Sequence, residues 1–120
     1  MMITSEVTEI GPNAIVESDP IAILFGPEAT NNLKDVAVIQ KFDVRHPEFN
    51  LRRGSQISIR NHTYTVTFCG KLVNANLQGV GHVTLCFSAI PETPLESAIY
   101  LSPEKFPGFT VGDKIIYTFK

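Results

Sequence analysis

The chain of 120 residues lacks several features that would place it in a common functional class. It has no tryptophan and only two cysteines, so nothing supports a disulfide-stapled fold. The net charge of −2 leaves no basic surplus of the kind that nucleic acids or anionic membranes attract. No apolar run approaches the roughly 18–20 residues of a membrane-spanning helix. We therefore expect a protein that binds no nucleic acid and does not insert into a membrane.

The first residues, Met1 to Glu6, contain no basic segment followed by an apolar one, so we expect no secretory signal and a cytoplasmic location. Hydrophobic residues make up 43% of the chain and charged residues 18%, which indicates a globular protein. The length predicts a single domain over residues 1–120. A chain of this size buries about two-thirds of its unfolded surface, which is enough for a core without disulfides or metal.

Alternation of apolar and polar residues recurs along the chain, as in strands with one buried face. It predicts strands over residues 3–10, 21–25, 36–44, 55–60, 62–69, 81–90 and 113–119. Turn signals rich in glycine and proline separate these segments. Short helices are predicted over residues 28–34 and 71–78, the second ending at Gly79. The pattern is typical of an all-β fold, either a small antiparallel β-barrel or a barrel-like sandwich, with one or two short helices.

Familiar catalytic and metal-binding motifs are absent. The three histidines, His46, His62 and His82, do not share metal-ligand spacing, and there is no Cys-x-x-Cys. The sequence also has no Gly-x-Ser-x-Gly elbow and no Walker-type phosphate loop. We expect no metal and no cofactor. Cys69 and Cys86 are predicted to be buried free thiols, since free cysteine is among the most buried residue types.

Two positions nevertheless carry information about a site. Gln40 interrupts the apolar stripe of the predicted strand 36–44, and an unsatisfied amide there would cost about 1–3 kcal/mol. It is therefore either an ordinary hydrogen-bonded glutamine or a residue that faces a partner or ligand. His82 begins a strand on its polar face, as a surface residue or as part of a site. The flanking Gly79 and Gly81 lack Cβ atoms, which would let another backbone or a ligand approach.

The basic cluster of the chain lies in the predicted loop around His46. Arg45, Arg52 and Arg53 bracket that histidine, and such a loop suits an acidic partner or a phosphoryl group. The alternative for all four residues is an ordinary solvated surface.

A resemblance to a known family rests on the segment from Asn76 to Phe87, Asn-Leu-Gln-Gly-Val-Gly-His-Val-Thr-Leu-Cys-Phe. It resembles Asn-Leu-x-x-x-Gly-His-Val-Thr-Leu-x-Phe of the glucitol/sorbitol-specific IIA component family of the bacterial sugar phosphotransferase system. Upstream, Asn61-His62-x-Tyr64-x-Val66-Thr67 and Gly70 are similar to the Gln-His-x-Tyr-x-Val-Thr and Gly of that family. Further matches are the turn residues Gly54, Pro107, Gly108 and Gly112.

The resemblance implies a small, mostly β cytoplasmic domain that relays phosphoryl groups. In the family, the phosphohistidine of the carrier protein HPr donates to a IIA histidine, which passes the group to IIB. HPr and the sugar-specific IIB and IIC components are thus the implied partners. Histidine suits this role because its imidazole is nucleophilic near neutral pH and forms a reversible N–P bond.

One position departs from the family pattern. The family acceptor ends a run Cys-Phe-Ile-His, whereas this chain reads Ala37-Val38-Ile39-Gln40. Gln40 thus stands at the acceptor position, and an amide nitrogen is not a nucleophile. The chain is either a phosphocarrier that uses His46, as a displaced acceptor, or another histidine, or a binding or regulatory module without an acceptor. Residue chemistry favours the module.

A structural module of an oligomer is a third alternative, without a positive sequence feature, although exposed strand edges would allow pairing into a homodimer. If the family site is retained, Gln40 and His82 should lie near one another at a shallow, partly apolar surface. The reason is that transfer between proteins needs an exposed acceptor on a docking face.

Overall fold

The structure, a computed structural model, describes all residues from 1 to 120. In chain order its elements are β1 (Met2–Ile10), β2 (Ile21–Phe25), α1 (Asn31–Asp35), β3 (Val38–Phe42), β4 (Gln56–Ile59), β5 (His62–Cys69), α2 (Val73–Val80), β6 (Val83–Cys86), β7 (Ala98–Ser102) and β8 (Lys114–Thr118). The strands form a closed barrel in the order β1-β3-β2-β6-β7-β5-β4-β8. The predicted all-β barrel with short helices is confirmed. No helix has the length and apolar character needed to cross a membrane.

The barrel is not purely antiparallel, which corrects the prediction. β2 pairs with β3, and β6 with β7, in parallel, while the other six seams are antiparallel. Parallel neighbours cannot be joined by a tight turn. The chain therefore crosses over through α1 in the first case and through residues 87–97 in the second. Because every strand is paired on both sides, the barrel has no free strand edges of the kind that would allow pairing into a homodimer.

The inward faces of the strands fill the barrel with side chains, as expected for eight strands. One end of the barrel is closed by α2 and by the segment between β3 and β4. Val73 and Leu77 of α2 and Phe49 and Leu51 of that segment all belong to the buried core. The segment is tied to the helix because the Phe49 N–H donates to Gln78 Oε1 at 2.7 Å and the Leu51 N–H to Asn74 Oδ1 at 2.8 Å.

The structure differs from the predicted elements at β6 and β7. Strand β7 was not predicted because Ala98 to Leu101 form a continuous buried apolar run without alternation. On β6, Thr84 and Cys86 are both buried, although they share the strand face on which His82 was expected to be polar. The outer face of this part of the barrel carries a second small cluster, in which Cys86 packs with Ala98 and Tyr100. Both cysteines are free, with Cys86 buried and Cys69 only half-buried.

We expect the protein to lose stability in alkaline solution. Burial raises the pKa of the Cys69 thiol from 9.0 to about 11, and burial also raises the pKa values of Cys86, Tyr64 and Tyr117. Each of these groups has a higher pKa in the folded protein than in the unfolded chain. Its contribution to the free energy of unfolding is therefore complete below the pKa of the unfolded chain and is lost as pH rises through the pKa of the folded protein. The unfolding temperature should therefore fall as pH increases from about 9 to about 11.

Thermal unfolding followed by circular dichroism across this pH range measures the effect. A Cys69→Ala variant provides the control, since without this thiol the fall should be smaller. An unfolding temperature that stays constant up to a pH of about 11 would contradict the prediction.

Candidate functional site

Gln40, on β3, is completely buried inside the barrel, with 0% of its surface exposed. Its Oε1 accepts two hydrogen bonds, from Ser5 Oγ at 2.7 Å and from Tyr117 Oη at 2.6 Å. Its Nε2 donates to the Gly81 carbonyl at 3.1 Å. The prediction that this amide finds hydrogen-bond partners is confirmed. The prediction that residue 40 lies at a shallow surface is wrong, because barrel closure removes its side chain from solvent.

The phenol that holds Gln40 is itself buried. Desolvation raises the pKa of Tyr117, and its hydrogen bonds with Gln40 and Ser5 offset only part of that rise. The hydroxyl therefore remains protonated at neutral pH and continues to donate to the amide oxygen. Residue 40 is thus a hydrogen-bonded interior side chain without a nucleophilic atom.

His82 lies next to this network and directly follows Gly81, the C-cap residue of α2. Its Nδ1 is 3.0 Å from the Leu24 carbonyl, and its ring stacks on Phe25 with a centroid separation of 4.3 Å and an interplanar angle of 18°. A carbonyl can only accept, so Nδ1 carries the proton of the neutral ring. The opposite nitrogen, Nε2, then keeps its lone pair, and no protein group is hydrogen-bonded to it. The half-buried imidazole is held in a tautomer suited to nucleophilic attack.

Two glycines were singled out beside this histidine, and they behave differently. Gly81 has a left-handed φ of 67°, and a Cβ there would lie 2.8 Å from the Gly26 nitrogen. The backbone that approaches Gly81 is thus part of this chain, and Gly81 ends α2 where Gly79 had been predicted to do so. At Gly79 a Cβ would meet nothing within 4 Å.

The other two histidines lie elsewhere on the surface. His46 is exposed in the segment between β3 and β4, with a left-handed φ of 52°. His62 is exposed at the start of β5, where it pairs with Ile59. Neither ring makes a hydrogen bond, and neither joins the network around Gln40. The structure therefore brings together residues 40 and 82 and leaves His46 apart.

The basic residues of the predicted loop are solvated. Arg45, Arg52 and Arg53 are all exposed, and none of them pairs with a carboxylate. Arg52 Nη2 donates to the Lys120 carbonyl at 3.0 Å, and Arg53 borders a surface groove of about 630 Å³. No contact links these side chains to His82. A partner-binding role for the three arginines stays a prediction.

Sequence reasoning missed the groups that define the site. Ser5 and Tyr117 are the interior hydroxyls that orient Gln40, and the Leu24 carbonyl selects the tautomer of His82. The available signal was an inward-facing hydroxyl in each of two apolar stripes. That signal does not say which strands are neighbours.

Comparisons with known proteins agree on one family. The family model described as PTS system glucitol/sorbitol-specific IIA component matches residues 2–116. The PTS system glucitol/sorbitol-specific EIIA component of Escherichia coli K12 is 32% identical over 99 residues, which cover 80% of this chain and 77% of that protein. The same component of Shigella flexneri is 31% identical over equal shares.

Among solved structures, the crystal structure of the PTS system IIA component from Enterococcus faecalis V583 is similar, with a TM-score of 0.90. It is 38% identical in sequence, and the match covers 96% of this chain and 98% of that one. Both sequence and fold therefore lead to the same conclusion: the chain belongs to the glucitol/sorbitol-specific IIA component family of the bacterial sugar phosphotransferase system.

Proposed function

We propose that this IIA component is a phosphoryl carrier whose acceptor atom is Nε2 of His82. Membership of the family implies HPr and a IIB component as partners. The observation that carries the choice of acceptor is the hydrogen bond between His82 Nδ1 and the Leu24 carbonyl, which leaves Nε2 with a free lone pair. Gln40, which the resemblance places at the family's acceptor position, is buried, and its amide nitrogen has no such nucleophilic lone pair.

The transfer requires one bond to break and one to form. The Nε2 lone pair of His82 attacks the phosphorus of phosphohistidine on HPr. The N–P bond on HPr breaks, and its electron pair returns to the donor imidazole. During this step the proton on Nδ1 stays hydrogen-bonded to the Leu24 carbonyl, which stabilises the positive charge that develops on the ring. Transfer to IIB repeats the exchange with His82 as the donor.

The setting of the ring also suits exchange between proteins. His82 is only half-buried, whereas Gln40 is inaccessible. The neighbouring Val80 side chain is 59% exposed and provides an apolar surface beside the histidine. Modest contacts of this kind are typical of transient encounters. The names of the curated relatives specify glucitol/sorbitol, and we extend that sugar and a cytoplasmic location to this chain as part of the proposal.

Labelling from radioactive phosphoenolpyruvate, through the two general proteins of the system, tests the proposal. We expect acid-labile label on the wild-type chain, complete loss of label in His82→Ala, and retention in the matched controls His46→Ala and His62→Ala. Loss of label in His46→Ala alone would overturn the assignment to His82 and make His46 the displaced acceptor.

A wild-type chain that takes no label would overturn the carrier proposal itself. The alternative would then hold, in which the chain is a phosphorylation-incompetent binding or regulatory module of the same family. Label that appears only in Gln40→His would show that this module lost its acceptor from an otherwise intact site.

A further inference from the structure

The peptide that joins Gly81 to His82 is held at both of its polar atoms. Its carbonyl oxygen, on Gly81, accepts from Gln40 Nε2 at 3.1 Å. Its N–H, on His82, donates to the Asn76 carbonyl at 3.2 Å. The peptide plane between Gly81 and His82 is thus fixed by Gln40 in the barrel interior on one side and by Asn76 in α2 on the other.

The amide of Gln40 is suited to this contact because its orientation is already determined. Its oxygen accepts from Ser5 on β1 and from Tyr117 on β8. An amide oxygen accepts while the amide nitrogen donates, so these two bonds direct the NH₂ group towards Gly81. A carboxylate could accept from the hydroxyls but could not donate to the carbonyl. The side chain at position 40 therefore connects the frame of the barrel to the backbone beside His82.

We infer that Gln40 is a positioning residue for His82, an inference that rests on the proposed function of that histidine. It holds the Gly81 carbonyl so that the imidazole meets both Leu24 and Phe25. At the position where the family has its acceptor, this chain carries a group that orients a neighbouring nucleophile.

Loss of this contact has a definite consequence for the ring. Without the donor at position 40, the Gly81–His82 peptide is anchored only through its N–H and can rotate. The hydrogen bond from Nδ1 to Leu24 then weakens, and the ring populates both neutral tautomers. The Nε2 lone pair is then present in only part of the molecules and is less well oriented towards the phosphorus. A displacement of about 1 Å is enough to slow a transfer by up to about a hundredfold.

The test combines nitrogen NMR of the histidine rings with label transfer. Gln40→Met removes the donor at similar volume, and Gln40→Asn keeps an amide that is one methylene too short to bridge the hydroxyls and Gly81. Ile59→Ala, on β4, is the matched control, since it destabilises the core through a cavity and its cross-strand partners, Ile115 and His62, are not members of the network. All proteins are measured while folded, with trimethylamine oxide added to favour the folded state.

In the wild-type chain and in Ile59→Ala, we expect the neutral ring of His82 to be a single Nδ1–H tautomer. In Gln40→Met and Gln40→Asn we expect a mixture of tautomers and a fall of about tenfold or more in the rate of labelling. Folded Gln40 variants with an unchanged tautomer would overturn the inference. If the wild-type chain takes no label, the proposed function fails, while the NMR spectra still decide whether Gln40 positions the ring.

Discussion

Gln40→Leu should lower the free energy of unfolding by at least about 3 kcal/mol, because it leaves the two hydroxyls and the Gly81 carbonyl without their partner inside the barrel. Each buried polar group that loses its hydrogen bond costs about 1–3 kcal/mol. The loss is large beside the roughly 5–15 kcal/mol by which natural domains are stable. Urea unfolding at equilibrium measures it as a lower midpoint with an unchanged dependence on denaturant.

The triple variant Ser5→Ala/Gln40→Leu/Tyr117→Phe is the matched control. It removes both hydroxyls together with the amide, so only the Gly81 carbonyl remains unpaired. We expect it to be more stable than Gln40→Leu alone, since replacing both partners of a buried hydrogen bond costs less than removing one. If Gln40→Leu were as stable as the wild-type chain, the hydrogen bonds of Gln40 would contribute nothing to stability.

Gly70→Ala should destabilise the protein strongly, because a methyl group at this position would clash with backbone atoms. Gly70 lies between β5 and α2, and a Cβ there would be 2.1 Å from the Glu96 carbonyl oxygen and 2.8 Å from that of Leu95. These are backbone atoms, and the Glu96 carbonyl is held in place by the Leu72 N–H at 2.9 Å. The segment cannot retreat without breaking such bonds. We expect a loss of about 3 kcal/mol, at the upper end for overpacked sites.

Gly79→Ala makes the same chemical change where there is room. A Cβ at Gly79 meets nothing within 4 Å, and the residue lies inside α2. Alanine is favoured over glycine in a helix by up to about 1 kcal/mol, so this variant should be slightly more stable than the wild-type chain. Urea unfolding of both variants should give changes of opposite sign. Equal losses of stability in Gly70→Ala and Gly79→Ala would mean that helix propensity and available space do not determine the effect of alanine at these positions.

Much of the fold could be predicted because local periodicity records which side of a strand is buried. Residues 21–25 and 62–69 were predicted with the bounds that the structure has for β2 and β5. The strand predicted over residues 113–119 likewise contains β8, Lys114–Thr118. β7 was missed because a strand buried on both faces has no alternation. The parallel seams were missed because periodicity carries no direction of pairing.

The candidate site divides in the same way. An amide within an apolar stripe already implied buried hydrogen-bond partners for Gln40, and the motif around His82 already indicated the family. The partners of Gln40 are 35, 77 and 41 positions away, and the carbonyl that selects the tautomer of His82 is 58 positions away. Contacts at such separations depend on barrel closure and strand register, which nothing in the local pattern of residues specifies. Alternation therefore determined the class of fold, and the motif around His82 indicated the family, whereas the buried place of Gln40 and its link to His82 arise only once eight strands close around them.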